Sequence, residues 1–441
     1  MENKFFYFLG IGGIGMSSIA RFLCSKGAKV AGYDKTPSDI TEVLMDLGIE
    51  ITFDEDKHAI PLGFNSDQVI VIYTPAIPRN HPQKLFFEGN GNSMFKRAKF
   101  LGELTSNSPN LAVAGTHGKT TTTAILAHLF KSLNQSFTAF VGGIMNENQS
   151  NLMSNGDKVF LVEADEFDRS FLSLSPTLAC VTSMDADHLD IYGNAEEVKA
   201  SYRLFAEKVS DKLIVEKGLP LAGVTYSIYE EADYYMNNIR PEGFGYSFDL
   251  TTPNNRITGQ YFSQLGLHNL SNALAAFALA SSFGLSEKDL SSALSSFKGV
   301  KRRLQLHLEN DNHVFIDDYA HHPTEIKAVY DTLENAYPAV SKCAIFQPHL
   351  FSRTRDFLED FSKVLSLFDR VILLPIYPAR ELPIPGVHSD VLASKISCID
   401  GVEVMSKEEL HDEFSKISQR IKVVLGAGDI GREVEKLKQT I

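Results

Sequence analysis

The sequence predicts an α/β protein built from three successive units, and three observations carry that reading. A glycine-rich turn, Gly10-Ile-Gly12-Gly13-Ile-Gly15, follows the first apolar run. A lysine-bearing glycine loop, Gly115-Thr-His-Gly-Lys-Thr, follows another apolar run near residue 111. Alternating strand and helix patterns then resume after a basic stretch that ends at Arg303.

Composition sets the bounds. At 441 residues, 44% hydrophobic and 22% charged, the chain is long enough for about two to four domains with their own cores. A net charge of −13 argues against nucleic acid as a partner, so any anionic ligand must be met by local basic groups and helix termini. Cys24, Cys180, Cys343 and Cys398 lie far apart with no Cys-x-x-Cys pair, which suggests a reducing compartment. Met1 to Leu9 reads as a first strand rather than a signal peptide. No apolar run approaches the roughly 18 residues of a membrane span. These features predict a cytoplasmic protein with no membrane partner; a monomer or homodimer is expected, but no feature of the sequence sets the oligomeric state.

In the first unit, residues 1–106, Phe5 to Leu9 is a strand and Met16 to Ser25 a helix pattern, with the glycine turn between them. Lys29 to Tyr33 is a second strand ending at Asp34, at the spacing expected of a ribose contact. A dinucleotide, a UDP-sugar or a plain close strand–helix turn would all use these glycines. The strand Gln68 to Tyr73 runs into Thr74-Pro75-Ala-Ile-Pro78, a rigid loop at a strand's carboxyl end, where ligands of open α/β sheets bind. The polar stretch Gly102 to Asn110 marks the first boundary.

The middle unit, residues 107–300, opens with the apolar strand Leu111 to Ala114, the glycine loop and a helix over Ala124 to Lys131. Glycines let the backbone approach an anion, the helix N-terminus supplies positive potential and Lys119 adds a full charge. Thr120 is placed to hold Mg²⁺. The usual loop has glycine where this chain has Val113, so the match is to a shortened Gly-x-x-Gly-Lys-Thr form. Two further strands, Val159 to Val162 and Leu178 to Thr182, each drop into an acidic cluster: Glu163-Ala-Asp165-Glu166-Phe-Asp168 and Asp185-Ala-Asp187-His188-Leu-Asp190. Paired clusters of hard oxygen ligands downstream of a lysine loop suit magnesium. Asn269 and Asn272 share one face of a helix start; their amides suit an adenine edge, but Asn is also a common N-cap, and the cap is the simpler reading.

The last unit, residues 301–441, follows the basic linker Phe297 to Arg303 and reads as a second doubly wound sheet, with strands at His313 to Asp317, Cys343 to Phe346, Val371 to Leu374 and Val423 to Leu425. Helix patterns cover Pro323 to Leu333 and Asp356 to Leu367. Its loops carry Asp317-Asp318-Tyr319-Ala-His321-His322-Pro323 and Gln347-Pro-His349-Leu-Phe-Ser-Arg353. The histidine pair lacks the companion spacing of a zinc cage. Arg353 has the fork geometry to clamp a carboxylate. Gly426 to Gly431 reads as a tight turn, since too few residues follow for a ribose-binding strand.

Taken in order, Gly115-Thr-His-Gly-Lys-Thr-Thr121, Glu163-Ala-Asp-Glu166, Asp187-His188, His268-Asn269-Leu-Ser-Asn272 and Asp317-Asp-Tyr-Ala-His-His-Pro323 resemble the motifs of the Mur ligases over essentially the whole chain. That family comprises ATP-dependent amide-forming enzymes of peptidoglycan precursor synthesis. The resemblance implies an N-terminal Rossmann-like domain for a UDP-sugar, a central P-loop ATPase-type domain, and a C-terminal Rossmann-like domain that closes on ATP and amino acid. It implies UDP-sugar contacts at Gly12, Gly13, Ile14, Gly15, Asp34, Thr74 and Pro75. ATP would be held by Gly115, Thr116, His117, Gly118, Lys119, Thr120, Thr121, Asn269, Asn272, Arg303 and Asp318. Magnesium would be held by Thr120, Glu163 and His188, the last on the resemblance alone. Tyr319, His321, His349 and Arg353 would face the amino acid, and Lys119, Glu163, His188 and Arg353 would carry catalysis. Within the family, Asp317 to Pro323, Phe346 to His349 with Ser352 to Arg355, and Tyr377-Pro-Ala with Pro383 to Gly386 resemble the member that acts on UDP-N-acetylmuramate and L-alanine, and the resemblance implies those substrates.

Two departures stand out. Leu350 replaces one of two arginines expected near the amino-acid carboxylate, which leaves Arg353 alone or broadens the amino-acid preference. Tyr202 stands where several relatives carbamylate a lysine, and Lys199 is out of phase, so no carbamylated lysine is expected. The rival readings are a ligase attaching a recycled murein tripeptide to the same sugar, a nicotinamide-dependent oxidoreductase, and a nucleotide sensor. An oxidoreductase leaves Lys119 and both acidic clusters unexplained, and a sensor does not need Arg353 or the His349 loop.

Overall fold

A computed structural model describes residues 1–185, 192–379 and 381–440. Among these residues there are three sheets, one in each predicted unit. The first sheet has strands β1 (Phe5–Leu9), β2 (Lys29–Tyr33), β3 (Glu50–Thr52), β4 (Ile70–Tyr73) and β5 (Met94–Lys96), in the order β3-β2-β1-β4-β5. All four of its pairings are parallel. The order reverses at β1, and there the glycine turn leads into the helix Ile14–Ser25. Parallel strands buried on both faces read as apolar runs, which is why β1 and β2 fall where the sequence places them.

The second sheet has ten strands: β6 (Asn110–Ala114), β7 (Thr138–Met145), β8 (Ser150–Ser154), β9 (Phe160–Glu163), β10 (Leu178–Val181), β11 (Lys212–Glu216), β12 (Val224–Ser227), β13 (Tyr234–Pro241), β14 (Tyr246–Thr251) and β15 (Arg256–Phe262). Their order is β15-β14-β13-β12-β11-β10-β6-β9-β7-β8. Strand β6 pairs in parallel with β10 on one side and β9 on the other. The helix Lys119–Ser132 begins at the lysine itself, five residues before the predicted start at Ala124, and is buried from Thr120 to Phe130. Four consecutive threonines are poor helix formers, but burial outweighs that preference. The helix Leu267–Ser282 follows β15.

The third sheet comprises β16 (Gln305–Glu309), β17 (Val314–Asp318), β18 (Lys342–Phe346), β19 (Arg370–Leu373), β20 (Val402–Val404) and β21 (Ile421–Leu425), in the order β16-β17-β21-β18-β19-β20. Only β16 is antiparallel to its neighbour. The predicted helix Asp356–Leu367 is two helices, Phe351–Asp356 and Leu358–Leu365, broken where Phe357 leaves helical geometry (φ −110°, ψ 21°).

Contacts divide the chain into two compact units. One spans residues 1–239, 247–262 and 271–298; the other spans 240–246, 263–270 and 299–441. The first two sheets share a unit because one apolar core runs through both: Phe6, Phe22 and Phe100 pack with Phe140, Phe160 and Phe171. The expected cut at 106/107 falls between the helix Arg97–Thr105 and β6.

The other unit is tied at its entry by Arg302. Its guanidinium donates to Asp317 Oδ2 at 3.2 Å and to the Gly428 carbonyl at 3.3 Å, and it also reaches the Gly426 carbonyl. Gly426 to Gly431 is thus a turn that serves the linker arginine. Burial pushes Asp317 up to about 7, and Arg302 opposes that shift. Removing one partner of a buried pair strands the other charge. Arg302→Ala should therefore destabilise this unit by about 3 kcal/mol in thermal unfolding well above pH 7, where Asp317 is charged. The deficit should shrink as pH falls through about 7, because a protonated Asp317 needs no counter-charge. Arg302→Ala/Asp317→Asn should recover part of the loss; no recovery would show that the pair is not what holds the turn.

Candidate functional site

The loop after β6 needs its two glycines. Gly115 has φ +142°, and an added Cβ would press on the Thr182 hydroxyl and lie 2.9 Å from the Ser183 nitrogen. Gly118 has φ +81°, and an added Cβ would meet the Asn272 carboxamide. The segment following β10 supports the loop from beside it. The Thr182 hydroxyl donates to the His117 carbonyl at 2.5 Å, the His117 N–H donates to Ser183 Oγ at 2.8 Å, and the Thr116 hydroxyl donates to the Asp185 carbonyl at 2.9 Å. Thr120 and Thr121 lie buried in the first helical turn, where N–H groups have no partner four residues back.

Lys119 folds over this loop. Its Nζ donates to the Gly115 carbonyl at 2.6 Å and lies 2.9 and 2.7 Å from the two carboxylate oxygens of Glu166. Glu166 is only 3% exposed. Burial pushes its carboxyl up, and the Lys119 charge opposes the shift. One residue on, the Thr120 hydroxyl donates to Glu163 Oε1 at 2.9 Å, while Glu163 Oε2 accepts the Gly142 N–H at 2.7 Å.

The first acidic cluster is thus divided. Glu163 faces Thr120, Glu166 holds Lys119, Asp165 pairs with Arg97 at 2.9 Å, and Asp168 pairs with Lys96 at 3.1 Å. Of the second cluster, Asp187, His188 and Asp190 lie outside the described residues. Thr120 and Glu163 offer hard oxygens beside the glycine loop, a donor set that fits Mg²⁺ bound jointly to nucleotide phosphates. Tyr202 is fully buried, its ring edge-on to Phe171 at 5.2 Å, and Lys199 pairs with Glu196 at 2.8 Å.

In the first sheet, Asp34 Oδ2 accepts the Gly12 N–H at 2.7 Å, so this carboxylate braces the glycine turn. Gly10 lies against Thr74, whose N–H donates to the Leu9 carbonyl at 3.3 Å; Pro75 follows in the same turn. Gly13 precedes the helix that begins at Ile14 and Gly15, and Gly15 lies beneath the Arg97 guanidinium.

On the helix Leu267–Ser282, Asn269 lies inside the first turn and donates its amide to the Leu265 carbonyl at 2.8 Å, so it is not the N-cap that the simpler reading expected, while Asn272 stands beside Gly118. In the other unit, Asp318 accepts the Leu304 and Ala320 N–H groups, each at 2.7 Å. Arg303 lies over the Tyr319 ring at 5.5 Å. His321, His349 and Tyr377 form a run of rings: His321 lies 5.9 Å from His349, which stacks on Tyr377 at 5.7 Å. Burial and the Arg353 charge push the His321 imidazole down and Glu325 opposes them, burial being the largest influence. Arg353 has a buried Nη1 with no hydrogen-bond partner among the described residues. Leu350 sits at φ +71° before the helix Phe351–Asp356, its N–H on the Tyr377 carbonyl at 2.9 Å.

Sequence reasoning missed the specific roles of Glu166, Gly142, Thr182, Ser183 and Arg97. A faint signal existed for Thr182 and Ser183, where the apolar run of β10 ends in two hydroxyl residues.

The architecture and the lysine loop belong together in one family. Residues 5–108 match the Mur ligase catalytic domain, residues 113–280 the Mur ligase middle domain, and residues 302–430 the Mur ligase glutamate ligase domain. The chain belongs to the Mur ligase family. It is 51% identical to the UDP-N-acetylmuramate–L-alanine ligase of Christiangramia forsetii, over 99% of this chain and 98% of that one. It is 48% identical to the enzyme of the same name from Flavobacterium psychrophilum, over 99% and 97%. The solved UDP-N-acetylmuramate–alanine ligase of Thermotoga maritima superposes with a TM-score of 0.83 at 27% identity, covering 99% of this chain and 98% of that one.

Gly142 gives a direct test of the Thr120–Glu163 arrangement. An added Cβ there would lie 2.6 Å from Glu163 Oε1 and 2.7 Å from its carboxyl carbon. Gly142→Ala should displace the carboxylate and weaken magnesium-dependent ATP binding at least tenfold by calorimetry, with the fold retained. Unchanged affinity would remove Glu163 from the metal assignment.

Proposed function

We propose that the chain is the ADP-forming ligase that joins L-alanine to the lactyl carboxylate of UDP-N-acetylmuramate, in the cytoplasm, through an acyl phosphate. The observation that carries the reading is Lys119 and Thr120 set side by side against Glu166 and Glu163, in a chain about half identical to enzymes of that name.

A carboxylate is a poor acyl donor to an amine. Its oxygen would therefore attack the γ-phosphorus of ATP, breaking the bond to the β-phosphate oxygen and releasing ADP. Lys119 lies at the loop that receives the phosphates, where its charge offsets that of the transferring oxygens. Held by Thr120 and Glu163, with His188 added by the family pattern, Mg²⁺ would supply further charge neutralisation. The neutral amine of L-alanine then attacks the carbonyl carbon, a proton leaves the nitrogen, and phosphate departs as the amide forms. Arg353 has an unmatched buried donor for the amino-acid carboxylate, and His321, held neutral by burial, adds no competing charge.

The test is phosphate release from ATP and UDP-N-acetylmuramate, with L-alanine, glycine, L-serine or the murein tripeptide supplied in turn. Release with L-alanine is expected; release only with the tripeptide would replace this reading by the recycling ligase. Lys119→Ala should lower kcat at least a thousandfold while UDP-sugar affinity survives, and a parallel loss of that affinity would undo the division of labour. Arg353→Ala should raise the KM for alanine at least tenfold more than the KM for ATP; equal changes would remove it from the amino-acid site.

A further inference from the structure

A cavity of about 170 Å³ lies between the first and second sheets. Ile14, Gly15 and Ser18 line it from one side, Gly142, Glu163 and Asp165 from another, and Arg97 stands among them. Arg97 is the first residue of the helix Arg97–Thr105, and Lys96 is its N-cap; the first turn contains no acid. Two cations at a helix N-terminus oppose the helix dipole, and each has one acidic partner: Asp168 meets Lys96 at 3.1 Å and Asp165 meets Arg97 at 2.9 Å. Asp165 meets Arg97 only from the β9 side, through one guanidinium nitrogen. The rest of the guanidinium lies over Gly15, where an added Cβ would be 3.2 Å from Cζ and 3.3 Å from Cδ.

Asp34 already occupies the Gly12 N–H. The orphan donors of the glycine turn are therefore those of the first turn of the helix Ile14–Ser25, directly under Arg97. We infer that Arg97 binds the diphosphate of the nucleotide sugar, clamping it against the Ile14–Gly15 turn, with Asp165 holding the guanidinium in place from the phosphoryl-transfer side. The inference rests on the reading of the first sheet as the UDP-sugar domain. The diphosphate sits at the helix turn, and the cavity that continues to Glu163 takes the sugar, aiming its carboxylate at the lysine loop. Arg97 is the residue that sets the distance between the two.

Calorimetric titration of the full chain with UDP and with UDP-N-acetylmuramate, without ATP, tests this. Arg97→Ala should weaken both ligands by about ten- to a hundredfold, the loss of a charge-assisted contact, with ATP affinity unchanged. Arg97→Lys should recover part of the loss for both ligands. Asp165→Asn should weaken UDP, but less than Arg97→Ala does, because the guanidinium keeps its charge and loses only the carboxylate that positions it. Unchanged UDP affinity in Arg97→Ala would overturn the inference. A loss confined to UDP-N-acetylmuramate would also overturn it, assigning Arg97 to the sugar carboxylate instead. Failure of the wild-type chain to bind either ligand would sink the UDP-sugar reading itself, a result distinct from both.

Discussion

A lysine held beneath a backbone loop must be given a counter-charge, and in this protein Glu166 supplies it. The pair fixes much of the central architecture. For Glu166 to reach Lys119, β9 must lie directly beside β6, and Val113 does pair with Glu163 across that ladder. For the loop to stay open to an anion, something must support it from the opposite side. That is β10, whose Val181 pairs with Ala114 and whose next two residues hold the His117 backbone. The order β10-β6-β9 is thus the requirement of one buried ion pair and one strained glycine loop, met by the carboxyl ends of three neighbouring strands.

The same arrangement shows why the acidic cluster after β9 is not a simple metal cage. Four carboxylates occur within six residues, and each has a different partner. Only Glu163 is left at the loop mouth, bonded to a threonine hydroxyl and a backbone N–H. Glu166 offsets a lysine, while Asp165 and Asp168 bind bases at the end of β5 and the start of the helix that follows it. Such pairs between partly exposed side chains contribute little stability each. Their consequence is positional, since they place the cations beside the glycine turn of the first sheet.

Much of this was legible in the sequence, and the failures have physical causes. Buried parallel strands read as short apolar runs, so β1, β2, β6, β10, β18 and β21 were found within one or two residues of their bounds. Strands β13 and β14 were missed because buried side chains alternate with less buried ones over polar stretches, and in β15 only Phe262 is buried. That Lys119, Thr120 and Glu163 come together was legible because a glycine loop after one buried strand and an acid after the next place those residue types at fixed local spacing. The partnerships of Asp34 with Gly12, Glu166 with Lys119 and Asp165 with Arg97 span 22, 47 and 68 residues. No local pattern encodes which acid meets which base at such distances; topology decides it.

The entry to the C-terminal unit makes the same point with neighbouring residues of identical chemistry. Asp317 and Asp318 are consecutive on β17, so their side chains leave on opposite faces of the sheet. Asp317 takes Arg302, whose positive φ of 59° turns its side chain onto the Gly426 and Gly428 carbonyls. Asp318 is pushed up by burial, the Arg303 charge opposing the shift, and gives one oxygen each to the Leu304 and Ala320 N–H groups. It therefore shapes the backbone on both sides of the linker and loop. Arg303 lies over the Tyr319 ring at 5.5 Å, a cation–ring pair beside these two bonds. Both Asp318 oxygens are thus taken up by backbone N–H groups, and Arg303 is the charged side chain beside the ring.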